Sequence, residues 1–170
     1  MIVAHIQRNQ GKYGALTGAL VTAAVLFIAS WEGYSAKPYR DSVGVETICY
    51  GQTAADGADF SKVYTKANCM KRLGADLAAE SGKYDAPLQH CLKPEVYAAL
   101  PQSRHIALIS LSYNIGGGAV CKSRIVAYLN AGDVEDACDT FLAYDHAGGK
   151  RLAGLTRRRE AERELCMKDN

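Results

Sequence analysis

The 170-residue sequence predicts an α+β protein that is predominantly helical, with a small β-sheet region at about residues 40–52. Between Gly44 and Gly51 the chain carries β-branched and aromatic residues, the pattern of a short hairpin region. After Gly51, helix-start residues and helical spacing of apolar residues recur towards the C-terminus. The length fits one domain with its own core, and the chain contains no repeat, low-complexity tract or linker-like segment.

Three helices are predicted from their start signals. The signals are Thr65 before a helix from Lys66, Pro101 in the first turn of a helix through Tyr113, and Asp133 before a helix from Val134 to Tyr144. Within the second helix, Ile106, Ile109 and Tyr113 recur at helical spacing, and the glycines 116–118 are expected to end it. We expect this helix to lie in the core.

The N-terminal part of the chain has the pattern of a weak membrane anchor. Tyr13 to Trp31 contains no charged residue and is just long enough to cross a bilayer as a helix, although many of its residues are small or weakly polar. Arg8 and Lys12 precede it, so the positive-inside rule places the N-terminus in the cytoplasm and the bulk of the chain outside. A buried core helix is the alternative, and both interpretations can hold in turn.

Three polar side chains, Glu32, Asp41 and Thr47, lie within the run WEGYSAKPYRDSVGVETICYGQT at Trp31 to Thr53. Cleavage of a glycosidic bond needs a carboxylic acid that protonates the leaving oxygen and a carboxylate that supports water or an oxocarbenium ion. Glu32 follows an apolar helix, a setting that disfavours a charged carboxyl, whereas Asp41 is expected to be more solvated. Taken singly, each carboxylate is more typical of a helix cap or a turn.

The complete run resembles glycoside hydrolase family 24, the phage-type lysozymes, in which Glu, Asp and Thr are separated by eight and five residues. The resemblance continues through YTKANCMKRLGADLA, LSYNIGGGA and GLTRRREAE, in the same order along the chain. It implies a phage-type lysozyme fold and a muramidase that hydrolyses the β-1,4 bond between N-acetylmuramic acid and N-acetylglucosamine in peptidoglycan, for lysis of the host cell. The implied roles are general acid for Glu32, carboxylate partner for Asp41 and positioning of the attacking water for Thr47.

Two residues depart from the family pattern inside this run. Glu46 stands where many members carry an aromatic residue, and Gln52 stands where a His is common. We expect Glu46 to face solvent. Gln52 and Asn114 are candidate substrate-binding residues. For Asn114 the reason is the resemblance, because the corresponding loop faces the saccharide cleft in the family. The charged residues of GLTRRREAE, namely Arg158, Arg159 and Glu162, are expected to pair structurally along a helix.

The weak anchor together with the lysozyme pattern resembles the signal-anchor-release endolysins of lambdoid-like phages. The resemblance implies that residues 1–30 hold an inactive enzyme at the inner membrane and refold into it on release, and that residues 31–170 form the catalytic domain. The enzyme would then be soluble in the periplasm, and we expect it to be a monomer. A cleaved signal peptide is disfavoured, because cleavage would leave Glu32 almost at the new N-terminus.

Two alternative functions stay open. One is a catalytically inactive, membrane-tethered protein that binds peptidoglycan, supported by the departures at Glu46 and Gln52. The other is a lytic transglycosylase, which would need the acid but not Asp41 or Thr47, and would release anhydro products. The presence of both residues favours hydrolysis.

The six cysteines are Cys49, Cys69, Cys91, Cys121, Cys138 and Cys166, all beyond the predicted anchor and therefore in an oxidising compartment. Six cysteines allow fifteen connectivities, and the sequence does not choose among them. Pairing of nearest neighbours would give three local loops, and the family resemblance supports that pairing.

Other classes of site find little support in the sequence. The four His residues are scattered, and the chain carries no CxxC or HExxH spacing, so we expect neither a metal nor another cofactor. A net charge of +2 and the lack of a recognition-helix or zinc-finger pattern argue against nucleic acid as a partner. The basic cluster at Lys150, Arg151 and residues 157–159 is expected mostly to be solvated.

Overall fold

The computed structural model describes residues 16–41, 44–79 and 83–168. Helices dominate these ranges, as the sequence predicts. They are α1 Gly18–Trp31, α2 Lys66–Ala78, α3 Ala86–Cys91, α4 Pro94–Ala98, α5 Gln102–Ile115, α6 Gly117–Cys121, α7 Arg124–Ala131, α8 Val134–Asp139 and α9 Ala153–Met167. Two short 3-10 helices lie between these elements, at Ala54–Asp56 and Thr140–Tyr144. The α+β class is confirmed.

A three-stranded antiparallel sheet lies between α1 and α2. Its strands are β1 Ser35–Arg40, β2 Glu46–Cys49 and β3 Gln52–Thr53, in the order β1-β2-β3. The predicted sheet region is confirmed, but its start at about residue 40 was wrong. The segment SAKPYR contains a Pro, which weakens a strand prediction, and an edge strand tolerates Pro because part of its backbone needs no ladder partner.

A second sheet was not predicted. It pairs β4 His146–Ala147 with β5 Lys150–Arg151 through Gly148 and Gly149, which both adopt positive φ. Two consecutive residues with positive φ match the twist of a tight hairpin, and glycine adopts this conformation without steric cost. Strands of two residues are too short to show alternation in the sequence.

Helix α1 forms part of the core. Thr17 caps its start, with its Oγ1 accepting from the backbone N–H of Leu20 at 3.2 Å. The helix packs against α2 and α5, and its buried face consists of Leu20, Ala24, Val25 and Ile28. Residues 13–15 of the predicted anchor, and the preceding Arg8 and Lys12, lie outside the described residues. In the ranges described, none of the helices combines the length and hydropathy that a membrane span requires.

Helix α5 is the central helix, as predicted. Residues 103–112 are all buried, and α1 and α9 both pack against this helix. Gly116 ends the helix with φ +89°, a conformation that favours glycine, so the predicted stop is confirmed. Gly117, in contrast, begins α6, where a Cβ would come within 2.5 Å of the carbonyl oxygen of Lys83.

The other predicted helices begin where expected. Thr65 accepts from the backbone N–H of Asn68 at 3.2 Å and caps α2. Pro101 is the N-cap residue of α5, which runs two residues beyond Tyr113. The helix predicted from Val134 to Tyr144 is α-helical only to Asp139 and then tightens into the 3-10 turn.

Three disulfides link neighbouring elements, in the nearest-neighbour pairing. Cys49–Cys69 joins β2 to α2, Cys91–Cys121 joins α3 to α6, and Cys138–Cys166 joins α8 to α9. Each bond closes a loop of 20 to 30 residues, so its main expected effect is to restrict the unfolded chain.

Candidate active site

Glu32 is the C-cap residue of α1. Its backbone N–H donates to the carbonyl oxygen of Ile28 at 3.0 Å, so the last turn of the helix fixes where the side chain begins. The side chain is 25% exposed, and its Oε1 accepts a hydrogen bond from Nη1 of Arg158 at 2.6 Å. The place of Glu32 after an apolar helix predicts an apolar environment. The structure instead gives the carboxylate a charged partner. A fixed guanidinium orients the carboxylate.

Arg158 lies on α9 and reaches Glu32 across 126 positions of sequence. The side chain of Arg158 is only 4% exposed, and its guanidinium also donates to Oε1 of Glu162 at 3.1 Å and to the carbonyl oxygen of Ser110 at 3.3 Å. Contacts on α1, α5 and α9 thus hold one planar group in place. A planar, delocalised guanidinium is better suited than an ammonium group to donate to several acceptors in different directions.

Glu162 is the buried anion behind this arrangement. It is fully buried, accepts from the hydroxyl of Ser110 at 2.6 Å, and pairs with both Arg158 and Arg159. Burial raises the pKa of Glu162, against the opposing effect of the two guanidinium groups and the hydroxyl. Burial also lowers the pKa of Arg159 to about 10. The predicted pairing along the helix is confirmed, whereas solvation is wrong for these two arginines of the basic cluster.

Asn114, a predicted substrate-binding residue, is exposed at the end of α5. Nη2 of Arg159 donates to its Oδ1 at 3.1 Å. Because a guanidinium only donates, this contact settles which end of the amide faces Arg159. The NH₂ end is then directed away from the buried cluster, where it is available as a donor.

Asp41 follows directly after β1 in a tight turn. Its Oδ1 accepts from the backbone N–H of Val45 at 2.8 Å, and its own N–H donates to the carbonyl oxygen of Val45 at 3.0 Å. Gly44, at φ +84°, also donates its N–H to the carbonyl oxygen of Asp41. Residues 42–43 of this turn lie outside the described residues. The backbone therefore fixes the carboxylate at the turn that connects β1 to β2.

Thr47 lies on β2, opposite Tyr39 of β1. Its side chain is almost fully buried, and its Oγ1 donates to the carbonyl oxygen of Val45 at 3.0 Å. The same carbonyl oxygen accepts from the N–H of Asp41. Asp41 and Thr47 are thus tied to one residue, Val45, and the structure brings them together at the same end of the sheet.

Tyr39 links this pair to Glu32. Burial raises the pKa of its phenol, and the charges of Glu32 and Asp41 raise it further. Both carboxylates therefore act on the same partly exposed ring from nearby positions. The charges of both predicted carboxylates thus reach one ring, with Glu32 at the end of a core helix, Asp41 directly after β1 and Thr47 on β2.

The two departures from the family pattern have different outcomes. Glu46 is exposed, as expected. Gln52 is 2% exposed, and both ends of its amide bind within the protein: its NH₂ donates to Oδ2 of Asp76 at 2.9 Å and its oxygen accepts from the N–H of Tyr50 at 3.4 Å. Gln52 therefore ties β3 to α2, and we keep Asn114 rather than Gln52 as the candidate substrate contact.

Sequence reasoning missed the contact of Arg158 with Glu32. The spacing of Arg158 and Glu162 along a helix was visible, but it indicates only a pairing within that helix. Nothing local marks a partner on a helix 126 positions earlier. Among the described residues, no group of three or more His, Cys, Asp or Glu side chains is arranged to hold a metal ion.

Comparison with known proteins adds to this geometry. The family model for phage lysozyme matches residues 29–162. The SAR-endolysin of Enterobacteria phage P21 is 38% identical over 155 residues, which cover 88% of each chain. Among solved structures, the muramidase domain of SpmX from Asticaccaulis excentricus superimposes with a TM-score of 0.73 at 26% identity, covering 86% of this chain and 96% of that one. A mutant of P22 lysozyme gives 0.72 at 28% identity, with the same coverage.

Proposed function

The chain belongs to the phage lysozyme family, and on this premise we propose that Glu32, Asp41 and Thr47 are its catalytic residues. It is a lysozyme that lyses peptidoglycan. The observation that supports the proposed site is the fixing of its groups: a guanidinium is held against Glu32, and Asp41 and Thr47 are tied to the same residue, Val45, while the charges of both carboxylates act on the ring of Tyr39. The proposed reaction is hydrolysis of the β-1,4 bond between N-acetylmuramic acid and N-acetylglucosamine.

Glu32 is the proposed general acid, which in its protonated form donates to the leaving glycosidic oxygen. This donation leaves a carboxylate on Glu32. The guanidinium of Arg158, 2.6 Å away and held by Glu162 and Ser110, is in place to stabilise that charge. Because these contacts exist before the reaction, little reorganisation is needed when the charge forms. We propose Arg158 as the residue that positions the acid.

Asp41 and Thr47 are the proposed partners on the opposite side of the bond. The hydroxyl of Thr47 donates to Val45, so its oxygen is left to accept from a water molecule. Asp41, held by the N–H of Val45, is the carboxylate that accepts the other proton of that water. Attack by such a water on the face away from Glu32 inverts the anomeric carbon.

Asn114 is the proposed saccharide contact from the helical side. Arg159 occupies its oxygen, so its NH₂ donates to a hydroxyl or acetamido oxygen of the substrate. All these groups come from one chain. We therefore propose that the enzyme acts as a monomer, which light scattering on the purified protein tests.

The catalytic proposal is tested by mass analysis of the products released from purified peptidoglycan by the intact chain and by Glu32→Gln. We expect reducing-end muropeptides from the intact chain and none from the variant. Thr22→Ser, on the exposed side of α1, is a control that leaves the site unchanged. Anhydro-muropeptides from the intact chain would instead identify a lytic transglycosylase. Binding to peptidoglycan without any product would favour the inactive binding protein.

We further propose that residues 1–30 anchor the chain in the host inner membrane, with the N-terminus in the cytoplasm and the catalytic part in the periplasm, until release. Names of relatives such as the SAR-endolysin of phage P21 support this proposal. So does the composition of α1, whose residues have no charge and are mostly small or apolar. In the folded enzyme this helix occupies the core and ends at Glu32, so an anchored chain lacks both the helix and a placed acid.

Fractionation of producing cells tests the anchor. We expect the intact chain to sediment with membranes early and to become soluble at full length once the membrane potential is collapsed. A soluble product that has lost its N-terminal residues would identify a cleaved signal peptide and refute the release mechanism. Muramidase activity is expected only in the soluble fraction.

A further inference from the structure

Tyr113 of α5 makes a contact that connects the central helix with the sheet. Its hydroxyl donates to the backbone carbonyl oxygen of Tyr50, 63 positions earlier, in the turn that follows β2. Its ring packs on Tyr84, with centroids 4.9 Å apart and planes at 40°. A side chain held at its ring and at its tip has little freedom to leave this position.

The turn that receives this hydrogen bond lies directly after the strand that carries Thr47. Gly51 adopts φ +100°, and a Cβ there would lie 3.5 Å from the hydroxyl of Tyr113, so the backbone approaches the phenol closely. Cys49, just before, is a non-glycine residue at φ +62°, a backbone conformation that side-chain-bearing residues adopt only when their surroundings hold them. The turn is therefore in a conformation that depends on outside contacts.

Those contacts come from two directions. From α2, the turn is held by the Cys49–Cys69 disulfide and by the hydrogen bond between Gln52 and Asp76. From α5, it is held by the hydroxyl of Tyr113. Since α5 packs directly on α1, which ends at Glu32, the hydroxyl connects the sheet side of the site with the helices that place the acid.

The charge environment fits this position. Burial raises the pKa of Tyr113, and the neighbouring Tyr84 and the charge of Glu32 raise it further. The phenol therefore remains protonated and keeps donating over the whole pH range in which a lysozyme works. Glu32 is also near enough for its charge to act on this hydroxyl.

We propose that Tyr113 is a positioning residue for the hydrolytic reaction: its hydroxyl fixes the turn at residues 50–52, and thereby sets Thr47 and Asp41 relative to Glu32. The proposal rests on the proposed function for its kinetic consequence, because Thr47, Asp41 and Glu32 are catalytic only in that function. Tyr113 itself does not touch the reacting atoms. It acts through the backbone of Tyr50.

The test compares the intact chain with Tyr113→Phe, which keeps the ring on Tyr84 and removes only the donor. The matched control is Tyr84→Phe, which removes a neighbouring phenol hydroxyl and leaves the bond to Tyr50. On soluble uncrosslinked peptidoglycan strands at 20 °C, we expect Tyr113→Phe to lower kcat about tenfold with KM within about twofold, since small displacements of catalytic groups act on the chemical step. We expect Tyr84→Phe to retain kcat within about twofold.

Hydrogen–deuterium exchange separates positioning from global stability. We expect faster exchange of the backbone amides of residues 48–53 in Tyr113→Phe, with unchanged exchange in α7 and α8, which lie away from the turn. Wild-type kcat in Tyr113→Phe, or a uniform rise of exchange across the chain, would overturn the proposal. If the wild-type chain releases no product, the proposed function is refuted, but the exchange experiment still tests the positioning role. Unchanged exchange of residues 48–53 in Tyr113→Phe would overturn that role, and faster exchange confined to these residues would support it.

Discussion

The guanidinium of Arg158 lies 2.6 Å from the carboxylate of Glu32, and the same guanidinium contacts Glu162 and Ser110. One side chain on the last helix therefore connects the end of the first described helix with the centre of the fold. The position of the Glu32 carboxylate depends on a network of contacts rather than on the helix end alone. This dependence makes Arg158 the first residue to substitute.

Arg158→Lys keeps the positive charge and removes the planar fork. A lysine ammonium has its three donors on one atom and cannot reach the positions that Nε, Nη1 and Nη2 of Arg158 occupy, so we expect kcat to fall about 10- to 100-fold, through misplacement of the acid. The conservative control is Arg157→Lys, at an exposed position of the same helix, which we expect to be almost neutral. Kinetics on peptidoglycan below the unfolding temperature provide the measurement. Equal activity of the two variants would show that Glu32 does not depend on the guanidinium.

Gly74 of α2 tests the docking of α1 without altering the predicted anchor. A Cβ at this position would lie 3.5 Å from Val25 and 3.6 Å from Val21, so the two helices approach closely there. In Gly74→Phe we expect normal membrane association, because the N-terminal segment is unchanged, but little activity after release. Overpacking of this kind typically costs about 1–3 kcal/mol.

The control for this docking experiment is Ala75→Phe, which adds the same ring at an exposed position of α2. Specific activity and thermal unfolding of the soluble fraction are measured for both variants. A fully active soluble Gly74→Phe protein would mean that α1 need not seat against α2. Loss of membrane association in Gly74→Phe would contradict the assignment of anchoring to residues 1–30.

The buried carboxylate of Asp85 predicts a pH dependence of stability. It accepts from Tyr97 at 2.8 Å, from Gln89 at 2.9 Å and pairs with His105 at 2.6 Å. Burial acts to raise the pKa of Asp85, but the contacts with His105, Gln89 and Tyr97 outweigh it and lower the pKa below its ordinary value. A carboxyl with a lowered folded-state pKa stabilises the fold above its unfolded pKa of about 3.9 and loses that contribution as the pH falls through the folded value.

We therefore expect Asp85→Asn to reduce the free energy of unfolding by about 1–3 kcal/mol at pH 7, because an amide places a donor against groups that donate. The difference from the wild type is expected to shrink as the pH falls below the unfolded pKa of about 3.9, and to vanish below the lowered folded pKa, where Asp85 is protonated in the fold as well. Denaturant unfolding at pH 7 and pH 3 measures it, with Asp133→Asn as an exposed control. A difference of the same size at both pH values would exclude the charge of Asp85 as its cause.

The disulfides are expected to have unequal effects on activity. Removing either Cys49–Cys69 or Cys138–Cys166 by paired Ser substitutions is expected to cost about 2–4 kcal/mol, since the closed loops span 20 and 28 residues. Only the first bond holds the strand that carries Thr47. We expect its loss to lower kcat well below the unfolding temperature, whereas loss of the second leaves kcat almost unchanged. Peptide mapping without reduction checks the pairing directly.

Much of this molecule was predictable, because its signals are local. The run at Trp31 to Thr53 marked Glu32, Asp41 and Thr47 as the candidate site through its family resemblance, Thr65 capped its helix, and Gly116 ended the central one. The helix signals depend on residues within one or two turns of chain, and the run that carries the resemblance is continuous in sequence. The paired glycines of the second sheet were a local signal too, but their strands are too short for a recognisable alternation.

The remaining features depend on contacts distant in sequence. A run of three arginines is most often solvated, yet Arg158 and Arg159 are buried, because Glu162 and Glu32 supply opposite charges inside the fold. The hydrogen bond from Tyr113 to Tyr50 depends in the same way on how α5 crosses the sheet turn. Such pairings need the three-dimensional arrangement before any residue can be named.

Helix α1 has 14 residues between its cap at Thr17 and Trp31, so it measures about 21 Å at about 1.5 Å per residue. The hydrocarbon core of a bilayer is about 30 Å thick and requires about 20 helical residues. Under the proposed release mechanism, the membrane-bound helix and the enzyme's helix therefore differ in length as well as in surroundings. Thr17 marks where the shorter helix starts. A substitution that removes its cap, such as Thr17→Ala, destabilises the start of the shorter helix and is therefore expected to favour the longer, membrane-bound one.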